Sequence, residues 1–407
     1  MPRLRFYRET DDRREAYLAD KSSRRASDTG KLRKLSCLSN FEKLFWKTNK
    51  YEKLPHHLKS CLDYISIMKY HKKHDLVRLM IAQGLIADKS GENMEDVAES
   101  IIDELVELGR LAENRYFDCL EVVVPYNNLC IVDVDEHKFL SKAEHLPSAK
   151  LDLDSDRGLS RAFMQDICKL QFLVVLRLFG AIESIPDEVG NLVNLKYLEL
   201  AKCMNLFHLP RTLGNLQRLQ TLKITYCGRL RELPVDMLKL QQLRHLLLSS
   251  GCVNNGEVRV PKGIGTLVNL QTCEGVYAGD SIAKELGTLT QLRRFGAKRV
   301  SEDHSSELAA AIMSMENLLS LSLQAEGACL VSEWIGRFLP ELENFSPPRL
   351  VQKLTLSGTL IEIPKWVAPM EKLTKLTLTS SNLSQDEASL LQYLPKLKHL
   401  HLWGAYC

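Results

Sequence analysis

The side chains of this 407-residue chain that could do chemistry fall into three groups. The first is a histidine group, His56, His57, His71 and His74, close together in a lysine-rich stretch. A tetrahedral metal site would need Cys or carboxylate ligands at fitting spacing, and none completes the set, so no metal is expected. The second is sulfur. The eleven cysteines include no C-x-x-C pair, a pattern of free thiols in a reducing compartment. Cys203 and Cys227 each stand three residues past the last leucine of a repeated unit, where a buried thiol can satisfy turning backbone. The third is Gly30-Lys31, which lacks the earlier glycine, the strand and the following hydroxyl of a phosphate loop. With no nucleophile elbow, kinase set or paired carboxylates, the chain is expected to be no enzyme and to hold no cofactor.

What remains is recognition chemistry. Arg177, Tyr197, Lys223, His245, Arg294, Lys298, Lys353, Lys375, His399, His401 and Trp403 recur beside leucines in a repeating pattern, with Phe179, Glu199 and Glu274 among them. Cations with interspersed aromatics suit an acidic protein partner, because charge steers encounter and aromatics anchor it. The competing reading is that these are merely solvated outer positions. Both stay open at this stage.

These residues are positioned by a repeat of the form L-x-x-L-x-L. It runs from Leu173-Val-Val-Leu176-Arg-Leu178 through Leu195, Leu219 and Leu243 to Leu397-Lys-His-Leu400-His-Leu402. Leu270-Gln-Thr-Cys273-Glu-Gly275 and Leu292-Arg-Arg-Phe295-Gly-Ala297 are degenerate copies, with Gly275 and Ala297 in the second inward position. Most copies start 22–27 residues after the last, the range of leucine-rich repeats. Alternation along a strand sends the two leucines of each unit to one face, and stacked units fuse those faces into one core. Each inward leucine contributes roughly 1.5–3 kcal/mol. Ile185-Pro186, Leu209-Pro210, Leu233-Pro234 and Ile363-Pro364 mark turns on the convex side, where a residue without an amide hydrogen is tolerated. The spacing therefore predicts an α/β leucine-rich-repeat solenoid, a parallel-sheet horseshoe of about ten units, over residues 170–407, with the cations on its concave face.

Upstream, residues 1–50 carry 14 Lys and Arg against 7 Asp and Glu and show no apolar periodicity, as a disordered segment would. Residues 51–125 carry three helical stripes. They are Leu58, Cys61, Leu62 and Ile65; Leu76, Leu79 and Met80, closed by Gly84; and Val97, Ile101, Leu105 and Leu108 after an acidic first turn. Extended chain is expected after Tyr116, which makes a small winged-helix-like domain. Residues 126–169 read as a connector and N-terminal cap. The charged N-terminus has no signal-peptide core, and no apolar run is long enough to span a bilayer, so a cytoplasmic location is expected. Net charge is only +3, too little to favour nucleic acid.

Three stretches go further: Leu54-Pro-His-His-Leu-Lys-Ser-Cys-Leu-Asp-Tyr-Ile-Ser-Ile67, Leu76-Val-Arg-Leu-Met-Ile-Ala-Gln-Gly-Leu-Ile86 and Glu95-Asp-Val-Ala-Glu-Ser-Ile-Ile-Asp-Glu-Leu-Val106. They resemble the winged-helix module of plant nucleotide-binding leucine-rich-repeat immune receptors of the coiled-coil class. Ile185-Pro-Asp-Glu-Val-Gly-Asn-Leu192 and Leu238-Lys-Leu-Gln-Gln-Leu-Arg-His-Leu246 are similar to that family's sensor repeats. The resemblance implies a protein-recognition module of innate immunity whose partner is a pathogen effector, a guarded host protein or another receptor. Small-molecule substrate, nucleic acid and membrane span are not implied. The sequence departs from the family in having Met80 for a usual tryptophan and a shorter loop after Ile67 without Phe-Pro-Glu. Tyr116-Phe117-Asp118 stands where the family's Met-His-Asp motif contacts ADP. The family's phosphate-loop core and coiled coil have no counterpart here, which implies a chain without a nucleotide switch of its own. A general intracellular repeat scaffold, or a non-functional truncated receptor product, are the alternatives.

Overall fold

The computed structural model describes residues 5–7, 54–67, 72–87, 91–114, 119–122, 148–152, 161–249, 258–277, 279, 281–326, 338–342, 345–360, 362–379, 381 and 391–403. The chain divides into two compact units, residues 8–129 and residues 1–7 with 130–407.

The smaller unit holds helices α1 (His56–Ile67), α2 (Lys73–Ala82) and α3 (Met94–Glu107) and an antiparallel hairpin of β2 (Leu111–Asn114) and β3 (Cys119–Val122). The first two stripes behave as their spacing predicts: Leu58, Cys61, Leu62, Ile65, Leu76, Leu79 and Met80 are all buried. The third is rotated by one residue. Ala98, Ile102 and Leu105 carry the buried face, Val97 and Ile101 flank it, and Leu108 is 49% exposed. Leu108 falls outside because α3 ends at Glu107 and Leu108 is already its C-cap. At the other end Asn93 accepts hydrogen bonds from the Glu95 and Asp96 amides, at 3.0 and 3.3 Å, closing a first turn whose carboxylates complement the helix dipole.

The larger unit is a parallel sheet of 12 strands among the described residues. Its strands are β4 (Ser148–Asp152), β5 (Val175–Phe179), β6 (Tyr197–Ala201), β7 (Thr221–Thr225), β8 (His245–Ser249), β9 (Thr272–Tyr277), β10 (Arg294–Val300), β11 (Ser320–Ala325), β12 (Lys353–Ser357), β13 (Lys375–Thr379) and β14 (His399–Trp403). Each pairs with its sequence neighbour, and β1 (Arg5–Tyr7) lies beside β14. The inward residues are almost uniformly buried: Leu176, Leu178, Leu198, Leu200, Leu222, Ile224, Leu246, Leu248, Leu321, Leu323, Leu354, Leu356, Leu376 and Leu378 form one continuous core. Among the described residues, four return segments are short 3-10 turns entered through proline, at Pro186, Pro210, Pro234 and Pro364, while others are α-helical, as at Ile282–Leu286 and Glu302–Met313.

Three expectations are corrected. The sheet begins before residue 170, because Ser148–Asp152 pairs in register with β5, Ala149 beside Leu176 and Leu151 beside Leu178. The connector thus contains a strand. Within residues 1–50, Arg5–Tyr7 is a strand on the edge of the last repeat; the rest of that segment lies outside the described residues. In the degenerate unit, the second inward residue is Val276, not Gly275: Gly296 pairs with Glu274 and Ala297 with Val276, so Gly275 is an extra, bulged residue. Its φ is +80°, and a Cβ there would sit 1.5 Å from the Leu248 carbonyl oxygen, so only glycine fits.

Candidate protein-recognition surface

Inward leucines force the intervening residues of every strand onto the opposite face, and the parallel register stacks these outward residues into rows. One row runs Val175, Tyr197, Thr221, His245, Thr272, Arg294, Ser320, Lys353, Lys375, His399. A second begins Arg177, Glu199, Lys223, Leu247, Glu274 and ends Ser322, Thr355, Thr377, His401.

The N-terminal half of these rows is enclosed. Val175, Tyr197, Thr221, His245 and Thr272 are all buried, as are Arg177 and Glu199. The Glu199 carboxylate accepts from the Arg177 guanidinium Nε at 2.6 Å with one oxygen and meets Lys223 Nζ at 3.1 Å with the other. Arg177 also lies over the Phe179 ring, 5.3 Å from its centroid. His245 Nδ1 is 3.2 Å from the Thr272 hydroxyl oxygen. Three of the expected partner-binding residues, Arg177, Tyr197 and His245, are therefore corrected: their side chains are used inside the protein and are closed to a partner.

The C-terminal half is open. Lys353 and His399 are exposed, and Arg294, Lys298, Lys375 and His401 are half-buried. Lys353 pairs directly with Lys375, and Lys375 with His399. Adjacent strands lie about 4.8 Å apart, so these three residues are neighbours. The outward positions of β10 to β14 hold no Asp or Glu; their other occupants include Gly296, Ser320, Ser322, Gln324, Thr355, Ser357, Thr377 and Thr379. Trp403 continues this face by register, beside Thr379. The hydroxyl-bearing residues between the cations are members of this surface that residue type alone does not single out. Lys223 is drawn into the ion pair with Glu199 on the enclosed side.

The sulfur and histidine candidates have structural surroundings. Cys203 Sγ faces the Leu178 and Ala201 carbonyls and Cys227 Sγ the Leu200 and Thr225 carbonyls, at 3.5–3.9 Å. The hydrogen bond to Cys227 and burial together push the Cys203 thiol up. Burial raises Cys61 to about 11 and, with nearby carboxylates adding to it, Cys168 and Cys273 to about 12, so none is a ready thiolate nucleophile. His74 Nδ1 lies 3.3 Å from Glu99, and His56 and His57 are exposed on α1. His71 and Tyr116, Phe117 and Asp118 fall outside the described residues. No helix among the described residues is long and apolar enough to cross a membrane.

The geometry can be set against known proteins. Residues 158–407 match the model of the family described as leucine-rich repeat region. Residues 69–119 match the disease resistance protein winged helix domain. The chain belongs to the leucine-rich-repeat family. The leucine-rich-repeat protein described here is 30% identical to the disease resistance protein RPM1 of Arabidopsis thaliana over 148 residues, 36% of this chain and 15% of that one. It is 24% identical over 421 residues to the disease resistance protein PIK6-NP of Oryza sativa subsp. japonica, covering 85% of this chain and 40% of the relative. A putative disease resistance RPP13-like protein 2 of Arabidopsis thaliana is 27% identical over 402 residues, 87% of this chain and 45% of its own. The chain thus spans less than half the length of these relatives. Winged helix and repeats together make it similar to the nucleotide-binding leucine-rich-repeat type of disease resistance protein.

Proposed function

We propose that this leucine-rich-repeat protein is a recognition module of plant innate immunity. It acts in the cytoplasm and binds an acidic face of a protein partner, a pathogen effector, a guarded host protein or another receptor, through the outward residues of β10 to β14. One observation carries the reading: four of the five strands β10 to β14 present Arg294, Lys298, Lys353, Lys375, His399 and His401, and the outward positions of these strands hold no Asp or Glu. Like charges on paired strands oppose folding. Two unit charges about 5 Å apart in water repel by about 1 kcal/mol, and an acidic partner converts that repulsion into attraction. The winged helix and the disease-resistance relatives support the immune setting. Recognition of this kind needs no nucleotide on this chain.

The test is a pull-down from infected plant tissue with the whole chain and with a Lys353→Glu/Lys375→Glu variant, read by mass spectrometry. The expected result is a partner of low isoelectric point that the variant loses and that high salt elutes. Retention of every partner by the variant overturns the assignment of this surface. Stoichiometric ADP in the purified protein overturns the nucleotide-free part of the reading.

A further inference from the structure

A second feature of the solenoid lies off the sheet, where the return segments turn. Each of three successive units crosses this corner with an apolar residue and a proline: Leu209-Pro210, Leu233-Pro234 and Val260-Pro261. The next unit has Ile282-Ala283 instead, and the row of prolines stops there. A cleft of about 450 Å³ opens there. Its floor is apolar and buried, from Leu209, Leu233, Val260 and Ile282. Its rim is exposed and charged, with Arg211, Arg259 and Lys262 against the single carboxylate of Glu232. Asp236, near Arg211, has its carboxyl held below the usual range, chiefly by its hydrogen bond to Lys239. The cations still outnumber the acids.

Arg259 is held in two ways. Its backbone forms an isolated parallel bridge to Glu232, donating to the Arg231 carbonyl at 2.7 Å and accepting from the Leu233 amide at 2.9 Å. Its guanidinium lies over the Tyr277 ring, 5.6 Å from the centroid. That ring is itself fixed by Arg299 at 5.7 Å and by an edge contact with His304 at 6.1 Å. A guanidinium stacked on an aromatic loses little freedom on meeting a planar anion and can grip it with two parallel N–H donors.

We infer that this cleft binds a short acidic segment of a partner protein, an Asp or Glu carboxylate on Arg259 and Lys262 with an adjacent apolar side chain on the floor. The cleft meets the outward sheet face where Tyr277 pairs with Lys298, but Lys353, Lys375 and His399 do not line it, so the two can hold one partner at two points or act alone. Charge complementarity selects the carboxylate. The apolar floor selects a peptide over a free anion.

The probe is a fluorescent peptide of alternating Glu and Leu, with Gln-Leu and Glu-Gly peptides as comparisons, titrated by anisotropy against the whole chain. The Glu-Leu peptide is expected to bind at least about tenfold more tightly than either comparison, since charge-assisted hydrogen bonds and floor burial both count. Arg259→Ala and Lys262→Ala, both at exposed positions and each checked for an unchanged melting temperature, should each weaken it, Arg259→Ala by about tenfold. Arg259→Lys should recover only part, having lost the fork. In the Lys353→Glu/Lys375→Glu background, which removes the sheet-face lysines, Arg259→Ala should still weaken the peptide by about tenfold, which separates the cleft from the sheet surface. Equal binding of the Glu-Leu and Gln-Leu peptides, or indifference to Arg259→Ala and Lys262→Ala, overturns the inference. So does equal binding of the Glu-Gly peptide, which would mean an anion site without peptide recognition.

Discussion

The two halves of the sheet's outward face are built from the same repeat and solve the problem of charge in opposite ways. On β5 to β7 the cations Arg177 and Lys223 share Glu199 between them, within a setting where Tyr197 and Thr221 are also buried. On β10 to β14 the cations line up in register with serine, threonine and glutamine and no carboxylate. The first arrangement answers charge internally and is structural. The second sets its basic side chains at outward positions among hydroxyl and amide neighbours, the arrangement proposed to meet a partner. A cation at an outward repeat position is thus no guide to binding until its neighbours in the row are known.

The largest expected effect follows from the enclosed half. Glu199→Gln keeps the shape of the side chain but leaves Arg177, only 4% exposed, without its carboxylate. Removing one partner of a buried pair costs about 3–5 kcal/mol, because an uncompensated charge remains. Urea denaturation should show a loss of that size. A loss below about 1 kcal/mol, typical of exposed pairs, would erase the distinction between the halves.

The seam between the halves gives the next effect. β9 and β10 pair through a bulge, and Gly275 occupies it at φ +80° against the Leu248 carbonyl. Gly275→Ala is expected to cost at least about 2 kcal/mol, combining strained backbone with a clash that backbone must move to relieve. Hydrogen exchange should show the loss concentrated in β8 to β10, since repeat stability is carried by neighbouring units. Exchange unchanged across those strands would mean that the bulge is not needed to join the two halves.

Much of this was legible from residue spacing. The unit L-x-x-L-x-L places two leucines on one face, and the spacing of its copies left a stacked parallel sheet as the natural solution. The stripes Leu58, Cys61, Leu62, Ile65 and Leu76, Leu79, Met80 were equally unambiguous. Other features were hidden for physical reasons. Ser148-Ala-Lys-Leu151 contains one leucine and lacks the L-x-x-L-x-L unit, too little to stand out, and only its pairing with β5 reveals the strand. In α3 the pairs Val97-Ala98 and Ile101-Ile102 make two overlapping stripes, and packing chose the second. For Arg177, Tyr197 and His245 alternation gives the face opposite the leucines but says nothing about how closely that face is enclosed. The cleft beside Tyr277 is lined from several successive units, a juxtaposition that no single unit displays.

The smallest stability effect belongs to the open half, and its smallness is the point. Lys353→Gln/Lys375→Gln removes two cations that face each other across β12 and β13. Exposed substitutions of this kind usually change stability by no more than about 0.5 kcal/mol. Here the sign should be favourable, because neighbouring like charges are relieved. The gain should shrink as salt screens the repulsion, with a Debye length of about 10 Å at 0.1 M falling to about 3 Å at 1 M. Melting temperatures of the variant and the parent, measured at low and high salt, would report it. A clear loss of stability in the variant would mean that Lys353 and Lys375 are engaged in holding the fold, as Arg177 is, and that the C-terminal rows are a second enclosed half with nothing to spare for a partner.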